Sequence, residues 1–171
     1  MTFLKMMRGG ELMKKQKGFT LIELLVVIAI LGILSTLAVV SLQNARSKGR
    51  DAKRVSDIRQ IQTGLELYFN DNGAYPIEAT AVTLGATGQE TLSSAGFAAA
   101  AVAPTYIGTV PAAPAVGDGS GCSVATDIYS YITDANGTTY AIDYCLGGLT
   151  GGVAAGPHTA TPNGMVDDLI E

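Results

Sequence analysis

A chain of 171 residues has room for one membrane helix and one small soluble domain, and not for a second globular domain. Its net charge of -4 conceals a partition: all 11 Lys and Arg lie at or before Arg59, whereas residues 60–171 carry 11 Asp and Glu. Phosphate neutralisation needs cations that this acidic part lacks, so no specific nucleic acid is expected as a partner.

In chain order, a basic leader with Lys5, Arg8, Lys14, Lys15 and Lys17 ends at Gly18 and runs straight into an apolar span. Residues 19–42 hold one charge, Glu23, and as a helix these 24 residues would extend roughly 36 Å, enough to cross a hydrocarbon core of about 30 Å. A carboxylate in such a span is costly in lipid unless it meets a partner. A cut after Gly18 would supply one, because the new ammonium on Phe19 would stand about one helical turn from Glu23, in the same chain or an axially shifted neighbour. Charge alone does not orient the span: Arg46, Lys48, Arg50, Lys53, Arg54 and Arg59, set against Asp51 and Asp57, give the distal flank +4, and the leader with Glu11 also reaches +4.

The string Lys17-Gly18-Phe19-Thr20-Leu21-Ile22-Glu23-Leu24-Leu25-Val26-Val27 resembles the class III signal of type IV pilins and type II secretion pseudopilins. The resemblance is dense over residues 14 to about 76 and holds in general layout beyond them. It implies that a prepilin peptidase of the inner membrane cuts between Gly18 and Phe19 and N-methylates Phe19. Glu23 would then occupy the fifth mature position, where the family's glutamate guides subunits into a homo-oligomeric filament on an inner-membrane assembly platform. The implied fold is α+β and type IV pilin-like, a long N-terminal α-helix whose C-terminal half packs on a small antiparallel β-sheet. Residues 1–18 are then a cleaved leader, 19–42 the transmembrane and assembly half of the helix, 43–73 its amphipathic half, and 74–171 an acidic soluble domain with an αβ-loop and the sheet. The expected location is a single pass through the cytoplasmic membrane, in contact with lipid, with the C-terminal domain outside, and later an extracellular or periplasmic filament. Many members carry a proline where this chain has Val40, and their helix unwinds between that proline and a glycine matching Gly32.

Beyond the span, Val55, Ile58, Ile61, Leu65, Tyr68 and Phe69 recur at three and four residues, which predicts one helix continuing to about Asn72. Asn70-Asp71-Asn72-Gly73 supplies a left-handed glycine cap, and Tyr75-Pro76 bars continuation. Residues 78–117, rich in Ala, Gly, Thr and Val, read as a loop with a short helix over 93–101. Residues 128–133 and 138–145 read as an antiparallel hairpin joined by Asp134-Ala135-Asn136-Gly137, with Tyr140, Ile142 and Tyr144 on a face that packs on Ile58, Leu65 and Tyr68. A glycine-rich loop, 147–164, then leads to a further strand over 165–170. Cys122 and Cys145 suit a disulfide in an oxidising compartment, the alternative being two buried thiols; a bridge would contribute roughly 3 kcal/mol on the loop-entropy view.

Catalytic signatures are missing from the sequence. Its one histidine, His158, stands in a Gly-Pro-His-Thr context without a nucleophile pattern and reads as a solvent-exposed loop residue. No phosphate-cradling loop or zinc spacing occurs, so an enzyme is not expected. Asp118, Asp127, Asp134, Asp143, Asp167 and Asp168 are oxygen ligands in a region without Lys or Arg. Major secretion pseudopilins hold calcium in a C-terminal loop, but no matching ligand pattern is legible here. No cofactor is therefore assigned, and Asp118, Asp134 and Asp143 are the residues a calcium ion would draw on. The basic collar from Arg46 to Arg59 reads as a solvated helix face, or, more sharply, as a surface that meets the acidic part of neighbouring subunits. Two function classes follow: a filament subunit that acts by assembly, and a membrane-anchored binding protein whose leader is retained.

Overall fold

A computed structural model of the protein describes residues 18–114, 122 and 127–167. The chain divides into two compact units, Met1–Ser41 and Leu42–Glu171. One helix, α1 (Leu21–Asn72), contributes to both.

In the first unit α1 is uninterrupted through Gly32 and Val40, and its side chains are all exposed. It is the one helix among the described residues that is long and apolar enough to cross a membrane, with a mean hydropathy of 2.8 over an 18-residue window. Two of its hydroxyls are absorbed by the helix itself: Ser35 Oγ donates to the Leu31 carbonyl at 2.7 Å and Thr36 Oγ1 to the Ile33 carbonyl at 2.8 Å. Neither needs water, which suits an apolar surrounding.

In the second unit the predicted stripe is buried. Ile58, Ile61 and Leu65 are fully covered and Val55 nearly so, each one helical turn from the next. The helix ends as its sequence dictates: Gly73 adopts φ +73° and its N–H donates to the Phe69 carbonyl at 2.7 Å, while the Asn72 side chain caps the Tyr68 carbonyl.

Two antiparallel sheets complete this unit. The larger has the order β1 (Val82–Thr83), β5 (Ser130–Thr133), β6 (Tyr140–Leu146), β7 (Gly156–Thr161), β8 (Gly164–Asp167). The smaller has the order β3 (Gly96–Ala98), β2 (Thr91–Ser93), β4 (Thr105–Ile107). Strand β6 alternates as a half-covered strand must, with Tyr140, Ile142 and Tyr144 buried in one core with Ile58 and Leu65, Tyr68 packed against it, and Asp143 exposed. The expected hairpin is present with Thr133 opposite Tyr140 and Ser130 opposite Asp143. Its turn is docked on the helix exit, because Tyr75 N–H donates to the Gly137 carbonyl at 2.8 Å, and a Cβ at Gly137 (φ +65°) would press on the Tyr75 carbonyl.

Three expectations are corrected. The short helix over 93–101 does not form: Leu92 pairs with Phe97 across the β2–β3 hairpin, and both reach the core, where their burial outweighs the helix preference of the alanines. The glycine-rich loop 147–164 contains strand β7, paired with β6 from Leu146↔Gly156 to Ile142↔Ala160. The last strand begins at Gly164, one residue earlier than expected, and residues 168–170 of its predicted span lie outside the described residues.

Gly64 explains how the smaller sheet meets α1. A Cβ there would run into the Ile107 side chain of β4 and touch Leu92 of β2, so a bare backbone lets the sheet approach. Gly49, by contrast, has open space around it.

Candidate functional site

The expected leader junction adjoins the first turn of α1. Gly18 and Phe19 are exposed, Phe19 by 84 %, and a side chain at Gly18 would meet nothing within 4 Å. Thr20 is the helix cap. Its hydroxyl donates to Glu23 Oε2 at 2.6 Å and its backbone N–H to the same oxygen at 2.8 Å, while Glu23 N–H returns to Thr20 Oγ1 at 3.3 Å. This is a capping box, in which two helix-start donors are satisfied reciprocally. The sequence signal for it is Thr20-x-x-Glu23 ahead of an apolar run, a pattern distinct from the charge and leader features. Its effect is to turn the carboxylate back over the helix N-terminus, to the residue next to Phe19.

A second polar constellation lies in the second unit, and it corrects the reading of residues 46–59 as a solvated collar. Arg54 is fully buried. Its guanidinium donates through Nη1 to Asp51 Oδ1 at 2.8 Å and through Nη2 to Asp127 Oδ2 at 2.7 Å. Asp51 Oδ1 also accepts the Gly147 N–H at 3.0 Å. One helical turn on, Asp57 accepts from Lys53 Nζ at 2.5 Å and from the Tyr129 hydroxyl at 3.1 Å. Burial, and next the adjacent Asp57 carboxylate, push the Tyr129 hydroxyl far above its ordinary range, so it remains a donor. These contacts tie α1 to the stretch before β5 and to the turn after β6. The Cys122–Cys145 disulfide, with Cα atoms 5.7 Å apart, adds a covalent tie from Cys122 to β6, next to that turn.

The remaining candidates are dispersed. Asp118 lies outside the described residues. Asp134 serves its own turn, accepting from Thr138 N–H and Oγ1 at 2.7 Å and from Thr139 N–H at 2.9 Å, while Asp143 accepts from Thr159 Oγ1 at 2.8 Å. Asp127 is committed to Arg54, and among the described residues no group of three or more His, Cys, Asp or Glu is placed to hold a metal. The solvent-exposed loop reading of His158 is also overturned. It is 1 % exposed in β7, its Nε2 is 2.8 Å from the Ala154 carbonyl, and its ring lies 5.6 Å from that of Tyr144. The sequence signal was the period-two pattern between Gly156 and Thr161, which puts His158 and Ala160 on the covered face.

Comparison with known proteins bears on the junction first. Residues 13–39 match the family described as "Prokaryotic N-terminal methylation motif". The chain is 43% identical over 67 residues to "Type II secretion system core protein G" of Pectobacterium carotovorum subsp. carotovorum, covering 39% of this chain and 43% of that protein. The protein of the same name from Escherichia coli (strain K12) is 45% identical over 62 residues, covering 36% and 43%. The chain thus spans less than half the length of these secretion relatives. "Type IV major fimbrial protein FimA" of Dichelobacter nodosus is 35% identical over 114 residues, 65% of this chain and 70% of that protein. No solved structure matches. With the methylation motif at its start, a long apolar helix running into antiparallel sheets, and a fimbrial relative matched over most of its length, the chain belongs to the type IV pilin and type II secretion pseudopilin family.

Proposed function

We propose that the protein is a structural subunit of a type IV pilus or pseudopilus filament and acts by assembly, not by catalysis. A prepilin peptidase removes residues 1–18 and methylates the Phe19 amine. The freed ammonium meets Glu23, and residues 19–42 pass from lipid into a bundle of such helices on an inner-membrane assembly platform, with residues 74–171 outside the cytoplasmic membrane. The observation that carries this reading is the position of Glu23: it is the one charge within the apolar, exposed residues 19–42, and its carboxylate is folded back onto the Thr20 N–H, one residue from the proposed new amine. In low dielectric an ammonium beside that carboxylate relieves the cost of carrying either charge alone.

The test has two arms. N-terminal mass analysis of the mature protein should give a chain beginning at methylated Phe19; an intact Met1 would leave a membrane-anchored binding protein as the better account. Glu23→Ala should lower filament yield at least about tenfold, equivalent to about 1.4 kcal/mol per assembly step, and normal filaments would overturn the pairing. A narrower reading, a pseudopilin of type II secretion or DNA uptake, draws support from the identity of 43–46% to secretion proteins over the helix-bearing segment. Loss of secretion, with surface pili unaffected, on deleting the chain would select it.

A further inference from the structure

Arg59 is differently placed from the other basic residues near it. Arg54 is buried against Asp51 and Asp127, and Lys53 is paired with Asp57. Arg59 is exposed and forms no ion pair among the described residues. It is also the last cation of the chain, since residues 60–171 contain no Lys or Arg.

Arg59 lines an open groove of about 480 Å³ between α1 and the β7–β8 turn. Gln62, Thr63 and Glu66 share its helical wall, Tyr140 of β6 and Asn163 of the turn face them, and Gln62 Nε2 is fixed by the Thr161 carbonyl at 2.9 Å. The Tyr140 hydroxyl is buried beside Gln62 and donates no hydrogen bond. Glu66, bonded to the Tyr75 hydroxyl at 2.8 Å, stands seven residues, or roughly 10 Å along the helix, from Arg59. The groove therefore has one cationic end surrounded by amides and hydroxyls and one anionic end that repels a second negative group.

From this we infer that the groove receives a side-chain carboxylate from the acidic region, residues 60–171, of a second copy of the chain, at its Arg59 end. The inference rests on the filament reading above. Residues 60–171 of each copy carry 11 Asp and Glu, and with Asp127 matched by Arg54 inside the chain the acidic regions of two copies still repel one another unless a cation meets them. Arginine is the side chain best suited to that contact, because its planar fork takes a carboxylate through two parallel hydrogen bonds.

The experiment uses the full-length chain in its own membrane and filaments. A photo-activated cross-linking residue replaces Thr63, which is exposed on the groove wall, and the joined peptides are identified by mass spectrometry. In parallel, filaments of Arg59→Gln and Arg59→Lys are titrated with salt. A cross-link to an Asp- or Glu-bearing peptide of another copy is expected, with about two- to five-fold less polymer in Arg59→Gln at a fixed salt concentration, the range for an exposed ion pair, and partial recovery in Arg59→Lys, which keeps the charge and loses the fork. Filaments with unchanged salt dependence in Arg59→Gln, or cross-links only within one chain, overturn the groove assignment while leaving the filament reading intact. Absence of filaments from the parent chain overturns the filament reading instead; the groove assignment then stands if copies cross-link in the membrane fraction and falls if they do not.

Discussion

The two halves of α1 invert each other. Residues 21–42 place apolar side chains outside and keep one carboxylate, which the helix start itself satisfies. Between Asp51 and Leu65 the helix covers its apolar stripe and, with it, Asp51, Arg54 and Asp57. The difference separates two kinds of specification. The first half leaves its apolar side chains exposed, so on the proposed filament reading its sequence answers to the lipid or helices that it meets. The second half finds its partners within the chain, so its charges are structural. Substitutions in the first should therefore change insertion and assembly, and substitutions in the second should change folding.

The strongest challenge to this division is Arg54→Leu. Removing the guanidinium leaves Asp51 and Asp127 covered without it, a loss of about 3–5 kcal/mol. Denaturant unfolding of the detergent-solubilised chain should detect it, and a loss below about 1 kcal/mol would return residue 54 to the class of surface charges. Next, replacing Cys122 and Cys145 together by serine should cost about 3 kcal/mol, because the bridge closes a loop between residues 23 apart, and the cost should match that of reducing the parent protein. A third, smaller effect belongs to Gly64→Ala, which should destabilise by about 1–3 kcal/mol through its clash with Ile107. Adding Ile107→Val should recover part of that loss; no recovery would place the strain elsewhere.

The smallest effect is a pH dependence at the hairpin turn. The Thr139 N–H, followed by the Thr138 side chain, holds the Asp134 carboxyl below its ordinary value of 3.8. A depressed folded value means that this contribution is fully present above the unfolded value and is lost as pH falls through the folded one. Asp134→Asn should therefore lower the melting temperature slightly at neutral pH, and the gap to the parent should close on acidification below the carboxylate range. A gap that persists there would assign the effect to turn geometry, not charge.

Elements with a strong period were legible in the sequence. Val55, Ile58, Ile61 and Leu65 predicted the covered helix face, and the Asn-rich stretch before Gly73 predicted its end. Strands of three residues are too short to carry a period, so β2, β3 and β4 were hidden in an alanine-rich stretch whose local preference points to helix. Arg54 was hidden for another reason. Lys53 and Arg54 are adjacent in a basic run, yet one is exposed and the other covered, because neighbours on a helix point about 100° apart. Nothing local in the sequence announces that a carboxylate 73 residues later will meet the second.

The capping box has a consequence for the order of events at the junction. Thr20 and Glu23 both lie on the C-terminal side of the Gly18–Phe19 bond, where the proposed cut falls. A helix whose start signal belonged to the leader would unravel when the leader was removed. Here the hydrogen bonds that begin the helix would be common to the proposed precursor and product, so the proposed cut would change the chemistry of the chain terminus while the register of every side chain behind it is retained.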